Sequence, residues 1–133
     1  MSTLPTDTAL ATIDRSEDGI IRIRFKHEVR VDVSGLAEIL QARRDLAGDD
    51  RPGVMALLPE DLDFDNAILT TDHHAGSDPR TFTKAFAIVT RSHLLVRLYS
   101  IYATYFKQDF PVRTFDDEDA AVQWLHEQVG STT

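Results

Sequence analysis

Two adjacent histidines stand between aspartates in the stretch TTDHHAGSD, Thr70 to Asp78. Imidazoles and carboxylates this close together could ligate a metal, exchange protons as an acid/base pair, or close the polar end of a helix. The residues ahead of them favour the last. Through EDLDFDNAILTTDHH, the side chains of Leu62, Ala67, Ile68 and Thr71 fall one helical turn after another, with aspartates in front and His73 and His74 behind. Carboxylates suit the positive N-terminal end of a helix dipole and histidines its negative C-terminal end. Gly76 then ends the helix and Pro79 prevents its continuation. Neighbours on a helix point about 100° apart, so His73 and His74 do not converge on one ion, and no metal is expected.

Two strand-to-helix junctions carry the remaining candidates. The carboxylates Glu60, Asp61, Asp63 and Asp65 follow the apolar run PGVMALLP, and open α/β sheets place ligands beyond such strand ends. Oxygen ligands of this kind suit Mg²⁺ or Ca²⁺. The stretch lacks the glycine of a calcium loop, however, and the chain has no glycine-rich phosphate loop. Asp61, Asp63 and Asp65 are read as helix-start partners and as a candidate partner-binding surface. At TRSHLL, Thr90 to Leu95, Arg91 and Ser92 with the open N–H groups of a helix start form a candidate anion surface. Ser92 is read first as the helix cap. Its neighbour His93 does not make it a nucleophile, because adjacent residues at a helix start do not set up a serine–histidine hydrogen bond and there is no GxSxG elbow. His126 and Glu127 form no HExxH pair, and His27 stands alone beside Glu28. No catalytic, cofactor or metal residue is assigned, and no enzyme is expected.

Composition narrows the partners. The chain has 133 residues, 42% of them hydrophobic, a net charge of −8 and no cysteine. That length is enough to bury a core without disulfides or metal. The negative charge disfavours nucleic acid and an anionic membrane surface. No apolar run approaches the ~20 residues that span a bilayer, and MSTLPTDTAL lacks the basic start and apolar run of a signal peptide. The expectation is a soluble, cytoplasmic protein without stable membrane insertion.

The elements that must position these residues follow from periodicity. Residues 1–8 read as a disordered tail, 9–129 as one domain and 130–133 as a second tail. LATIDRSEDGIIRIRF reads as a hairpin, with strands Leu10–Asp14 and Ile20–Phe25 and Gly19 in the turn. VDVSGLAEILQARRDLAGDD changes to helical spacing, capped by Asp32 and ended by Gly48, with Gly35 weakening its first turn. PGVMALLP and Ala85–Val89 are short apolar runs of buried strands. A helix from Ser92 follows, then the short strand PVRTF. A last helix has Asp116 as cap and Asp119 three residues on, with Ala121, Val122, Leu125 and Val129 inward and Trp124 at the margin. The order, a β-hairpin then α-β-α-β-α-β-α, predicts an α/β fold with a mixed, mostly parallel five-stranded sheet covered by helices.

The C-terminal half carries a resemblance. AFAIVTRS leads into a helix ending in aromatics, then FPVRTFDDEDAAVQWL, with Pro111, Val112, Phe115, Asp117, Glu118, Ala121, Trp124 and Leu125 in the family pattern. In element order and these strings the chain resembles the SpoIIAA-like branch of the STAS superfamily, over residues 9–128, and that fold is related to CRAL-TRIO lipid-binding domains. The resemblance implies a homodimer and a regulatory or protein-binding role, with a small apolar ligand as the alternative. The anti-sigma factor antagonists of the superfamily carry a phosphorylated Ser or Thr after the central strand. Here that turn is LPEDLDFDN, without a hydroxyl before Thr70 and Thr71, so the phosphoswitch does not carry over.

The helix from Ser92 to Lys107 has two apolar stripes: Leu94, Leu98, Ile101 and Tyr105, and beside it Leu95, Tyr99, Tyr102 and Phe106. Together they span about 160° of the helix, more than one sheet face requires. The stripe Leu95, Tyr99, Tyr102, Phe106 is therefore a candidate dimer surface or the lining of a ligand pocket.

Overall fold

In the computed structural model, residues 5–71, 78–105 and 110–130 are described. The core is a six-stranded sheet. Its strands are β1 (Thr6–Asp7), β2 (Ala11–Arg15), β3 (Ile21–Phe25), β5 (Gly53–Leu57), β7 (Ala85–Val89) and β8 (Val112–Phe115), in that spatial order. β1–β2 and β2–β3 are antiparallel, and every pairing from β3 to β8 is parallel. Three helices flank it: α1 (Val33–Ala47), α2 (His93–Tyr105) and α3 (Glu118–Gly130). The expected α/β fold with a mixed, mostly parallel sheet is present. None of the helices among the described residues is long and apolar enough to cross a membrane.

The hairpin forms where alternation places it. Ile13 faces Ile23 and Ala11 faces Phe25 across the ladder. Gly19 takes φ +86°, a region that favours glycine. Asp18 steadies the turn by accepting from the Ile20 N–H and from the Arg22 guanidinium. Burial pushes the Asp18 carboxyl up, but the Arg22 and Ile20 bonds outweigh it and hold it below its usual range.

Two expectations about the ends are revised. Thr6 and Asp7, taken as tail, pair with β2. The buried Thr8 hydroxyl donates to the Ala11 carbonyl and accepts from the Ala11 N–H. Lys26 donates to the Thr8 carbonyl and pairs with Asp7, holding the segment in place. At the other end, the cap of α3 is Asp117 rather than Asp116, its carboxylate accepting from the Asp119 N–H. Val129 faces outward at 39% exposure, while Ala121 and Leu125 are fully buried.

The largest departure lies between β5 and β7. The helix expected through EDLDFDNAILTTDHH is instead the two-residue strand β6 (Asp63–Phe64) followed by a 3₁₀ turn, Asn66–Leu69. β6 pairs in parallel with β4 (Arg30–Val31), the Asp63 and Asp65 N–H groups donating to the Val29 and Val31 carbonyls. Leu62 and Phe64, two residues apart, both pack inward, which is a strand's period and competed with the helical spacing of Leu62, Ala67 and Ile68. A second short turn, Pro79–Thr81, precedes β7. His73, His74 and Gly76 lie outside the described residues.

Alternation along β5 and β7 divides the core between the two sheet faces. Met55, Ala85 and Ala87 meet α3 through Ala121 and Leu125. Val54 and Ala56 face the side covered by α1, with Ile39 and Ala42. α1 begins as expected at Asp32, whose carboxylate accepts from the Gly35 N–H at 2.7 Å, and ends at Gly48 with φ +58°.

Gly35 proves to be a packing requirement. A Cβ there would stand 2.3 Å from Leu10 Cδ1, 2.6 Å from Leu10 Cγ and 2.8 Å from the capping oxygen of Asp32. Gly35→Ala gains about 1 kcal/mol of helix propensity, but it must displace both a buried leucine and the cap. A net loss of about 1–2 kcal/mol is expected in urea denaturation. An equal or more stable variant would contradict this packing.

Candidate functional site

A cavity of about 230 Å³ opens between the sheet, α1 and α2. Ile23 and Phe25 of β3, Ala56 of β5, Phe86 and Ile88 of β7 and Val112 of β8 supply the sheet side. α1 contributes Leu36, Ile39, Leu40 and Arg43; α2 contributes Leu95, Leu98, Tyr99 and Tyr102; Leu62, Phe64 and Ile68 are among the remaining lining residues. The space exists because α2 makes its principal element contact with the 3₁₀ turn Asn66–Leu69 rather than with a strand. The lining is apolar except for Arg43 and the tyrosine hydroxyls. A mostly apolar lining of this kind suits an apolar ligand.

Of the candidate stripe on α2, Leu95, Tyr99 and Tyr102 all line this cavity. Leu95 and Tyr102 are buried within the chain, Tyr102 to 8% exposure, and Tyr99 is half-buried. Phe106 lies outside the described residues. Burial, with Tyr102 alongside, pushes the Tyr99 phenol up to about 12, so it stays neutral and can donate or accept a hydrogen bond. Of the adjacent stripe, Leu94 and Ile101 face outward, 59% and 41% exposed, while Leu98 turns to the cavity.

Arg43 was not singled out from the sequence. It is 5% exposed, and its Nη2 donates to the buried Thr83 hydroxyl at 2.8 Å. Its guanidinium carbon lies 5.5 Å from the Phe82 ring centroid and 5.1 Å from that of Phe86. Burial lowers its pKa to about 10, still well above neutrality, so the side chain remains a cation. A signal was available: Arg43 falls four residues after Ile39 and seven after Leu36, on the apolar stripe of α1, where a charged residue breaks the pattern.

The acidic candidates do not act together. Asp61 pairs with His27, Oδ2 to Nδ1 at 3.0 Å. Asp63 pairs with Arg30 at 3.6 Å, both exposed. Asp65 caps the 3₁₀ turn by accepting from the Ala67 N–H at 3.1 Å. Ser92 caps α2, its hydroxyl accepting from the Leu95 N–H at 3.2 Å, while its own N–H donates to Thr90. Arg91 instead joins His27, Glu60 and Asp61 around an open surface cleft beyond the ends of β3, β5 and β7. His27 and Asp61 are 34 residues apart, so no local pattern could pair them. Glu28, beside His27, takes φ +56°, and its backbone N–H also serves Asp61.

Comparison with known proteins agrees with this architecture. A family model described as a domain of unknown function, DUF7793, matches residues 15–129. The chain belongs to this family. Among solved structures, it is similar to an uncharacterized protein of the DUF3478 family from Shewanella loihica PV-4, described as having a SpoIIAA-like fold. That likeness has a TM-score of 0.57 at 20% identity and covers 94% of this chain and 98% of the other. It establishes the SpoIIAA-like fold. No curated protein matches.

The cleft yields a titration test. Slight desolvation pushes the Asp61 carboxyl up, but the His27 ring and the backbone N–H groups of Glu28 and Asp61 hold it below its usual range. A depressed folded pKa makes the pair's contribution present above the ordinary carboxylate range and lost as pH falls through the folded value. NMR should find Asp61 titrating below a model carboxylate, and His27→Ala should move it upward. An unshifted Asp61 would remove the pair.

Proposed function

We propose that this protein is a non-enzymatic binding domain whose cavity takes a small apolar ligand. The cavity carries this reading: a pocket between α1, α2 and the sheet whose lining is apolar but for one cation and two phenols. An engineered apolar cavity of about 150 Å³ accommodates benzene, so 230 Å³ suits a somewhat larger molecule. The reading rests on this geometry rather than on the CRAL-TRIO relation expected from sequence. The expected test is a thermal melt with p-xylene. The ligand should raise the wild-type melting temperature. Ala56→Leu, which extends a buried side chain into the space, should abolish that rise while leaving the protein folded. A wild type indifferent to p-xylene would sink the proposal.

A second reading, a regulatory or protein-binding domain that forms a homodimer, draws support from the outward stripe of α2. Leu94 and Ile101, seven residues apart, are exposed large hydrophobics on one helix face. In this reading they meet a second copy, whereas Tyr99 and Tyr102 belong to the cavity. The double variant Leu94→Lys with Ile101→Lys should then give a folded monomer by light scattering. A wild type already monomeric at high concentration, or a variant that remains dimeric, would defeat it.

A further inference from the structure

The aromatic rings of this chain gather round its cavity. Of seven Phe, three Tyr and one Trp in the sequence, six line the space: Phe25, Phe64, Phe86, Tyr99, Tyr102 and Phe110. They reach it from different sides. Residues two apart on a strand share a face, so Phe25 points with Ile23 and Phe86 with Ile88, the cavity-lining isoleucines of β3 and β7. Ile23 and Ile88 are also the ladder partners of Ala56, one on each side of it. Phe25 and Phe86 therefore stand at opposite diagonals of Ala56, each about 8 Å away by strand spacing and rise. Aromatic side chains span such a diagonal. The sheet side of the cavity is thus a small residue with a phenyl ring at each of two corners. Tyr99 and Tyr102 close the space from α2, their ring centroids 6.3 Å apart and tilted by 39°, and Phe64 adds a ring from β6.

Resting on the apolar-ligand reading, we propose that the ligand is an aromatic ring compound of about nine non-hydrogen atoms, seated over Ala56 among these rings. The size comes from scaling the benzene-sized cavity of about 150 Å³ to the 230 Å³ found here. The chemistry comes from the lining. Aliphatic walls accept any apolar molecule that fits, whereas rings discriminate. A π-system has a negative face and a positive edge, so ring pairs in offset or edge-to-face contact gain more than their buried area provides. A saturated ligand on the same carbon skeleton has no such charge distribution and forgoes that gain.

The test exposes the 133-residue protein to the vapour of indane or of hydrindane, its saturated counterpart, and measures bound hydrocarbon by gas chromatography. Comparing the two at equal fractions of saturated vapour cancels the difference in how strongly water expels them. Indane should half-fill the site at a vapour fraction at least about fivefold lower. Phe25→Leu and Tyr99→Leu each keep apolar bulk and remove a ring, and each should shrink that preference by at least about twofold. Because the two changes lie on different elements, one serves should the other not fold. Hydrindane binding as tightly as indane, or more tightly, in the wild type overturns the aromatic assignment, and so does a preference undiminished in every variant that folds. If hydrindane or p-xylene binds without a preference for indane over hydrindane, this proposal falls and the apolar-ligand reading stands. If none of the three binds, both fall together.

Discussion

The architecture depends on how differently the two faces of the parallel strands are filled. Towards α3 the sheet presents Gly53, Met55, Ala85 and Ala87, and the helix answers with Ala121 and Leu125. The approach is close: a Cβ on Gly53 would come within 3.2 Å of Leu125 Cδ2. Small residues let helix and sheet meet at that distance, the close packing typical of protein interiors. On the other face Phe86, Ile88, Tyr99 and Tyr102 stand between the sheet and α2. Large, stiff side chains there hold the helix off the strands, and what they do not fill is the cavity. One face is a solid core and the other a container, from strands only five residues long.

Charge follows the same division. On the outer side, Arg22 and Arg24 reach Glu118 at 3.7 and 3.4 Å, joining the hairpin to the start of α3 across the sheet surface. Arg15 joins the hairpin to the end of α1 through the Leu46 carbonyl and Asp50. These pairs are wholly or partly solvated and contribute little individually, though they fix how the hairpin lies against two helices. Arg43 differs in kind. It is buried against aromatic faces, where electrostatic effects are stronger than at the surface. A chain of net negative charge thus holds the cation of Arg43 beside an apolar cavity.

The SpoIIAA-like fold and membership in a family described only as a domain of unknown function leave chemistry to be argued from the site. The cavity between α1, α2 and the sheet is lined mostly by apolar groups, whereas the cleft bearing His27, Asp61 and Arg91 is open to water and presents charges of both signs. Solvent at such a surface screens the electrostatic leverage that a catalytic pair requires. That contrast in burial supports the proposed apolar ligand in the cavity over a ligand in the polar cleft.

What the sequence determined by itself was set by short-range physics. Alternation in Ile21, Ile23 and Phe25, the Asp32 cap, the Gly19 turn and the apolar run Ala85–Val89 each depend on neighbours within a few residues, and each formed where expected. The helical face of α2 was legible too, but not which of its two stripes would turn inward, because that depends on where β7 delivers the chain. Tertiary structure alone decided three things. β4 captured Asp63–Phe64 as a strand, since hydrogen bonds from the Asp63 and Asp65 N–H groups to Val29 and Val31 across more than thirty residues won over local helical spacing. It paired His27 with Asp61. It also turned Arg43, one charged residue on an apolar stripe, into the charge of a cavity, because the aromatic rings of Phe82 and Phe86 that enclose it arrive from the far end of a parallel crossover.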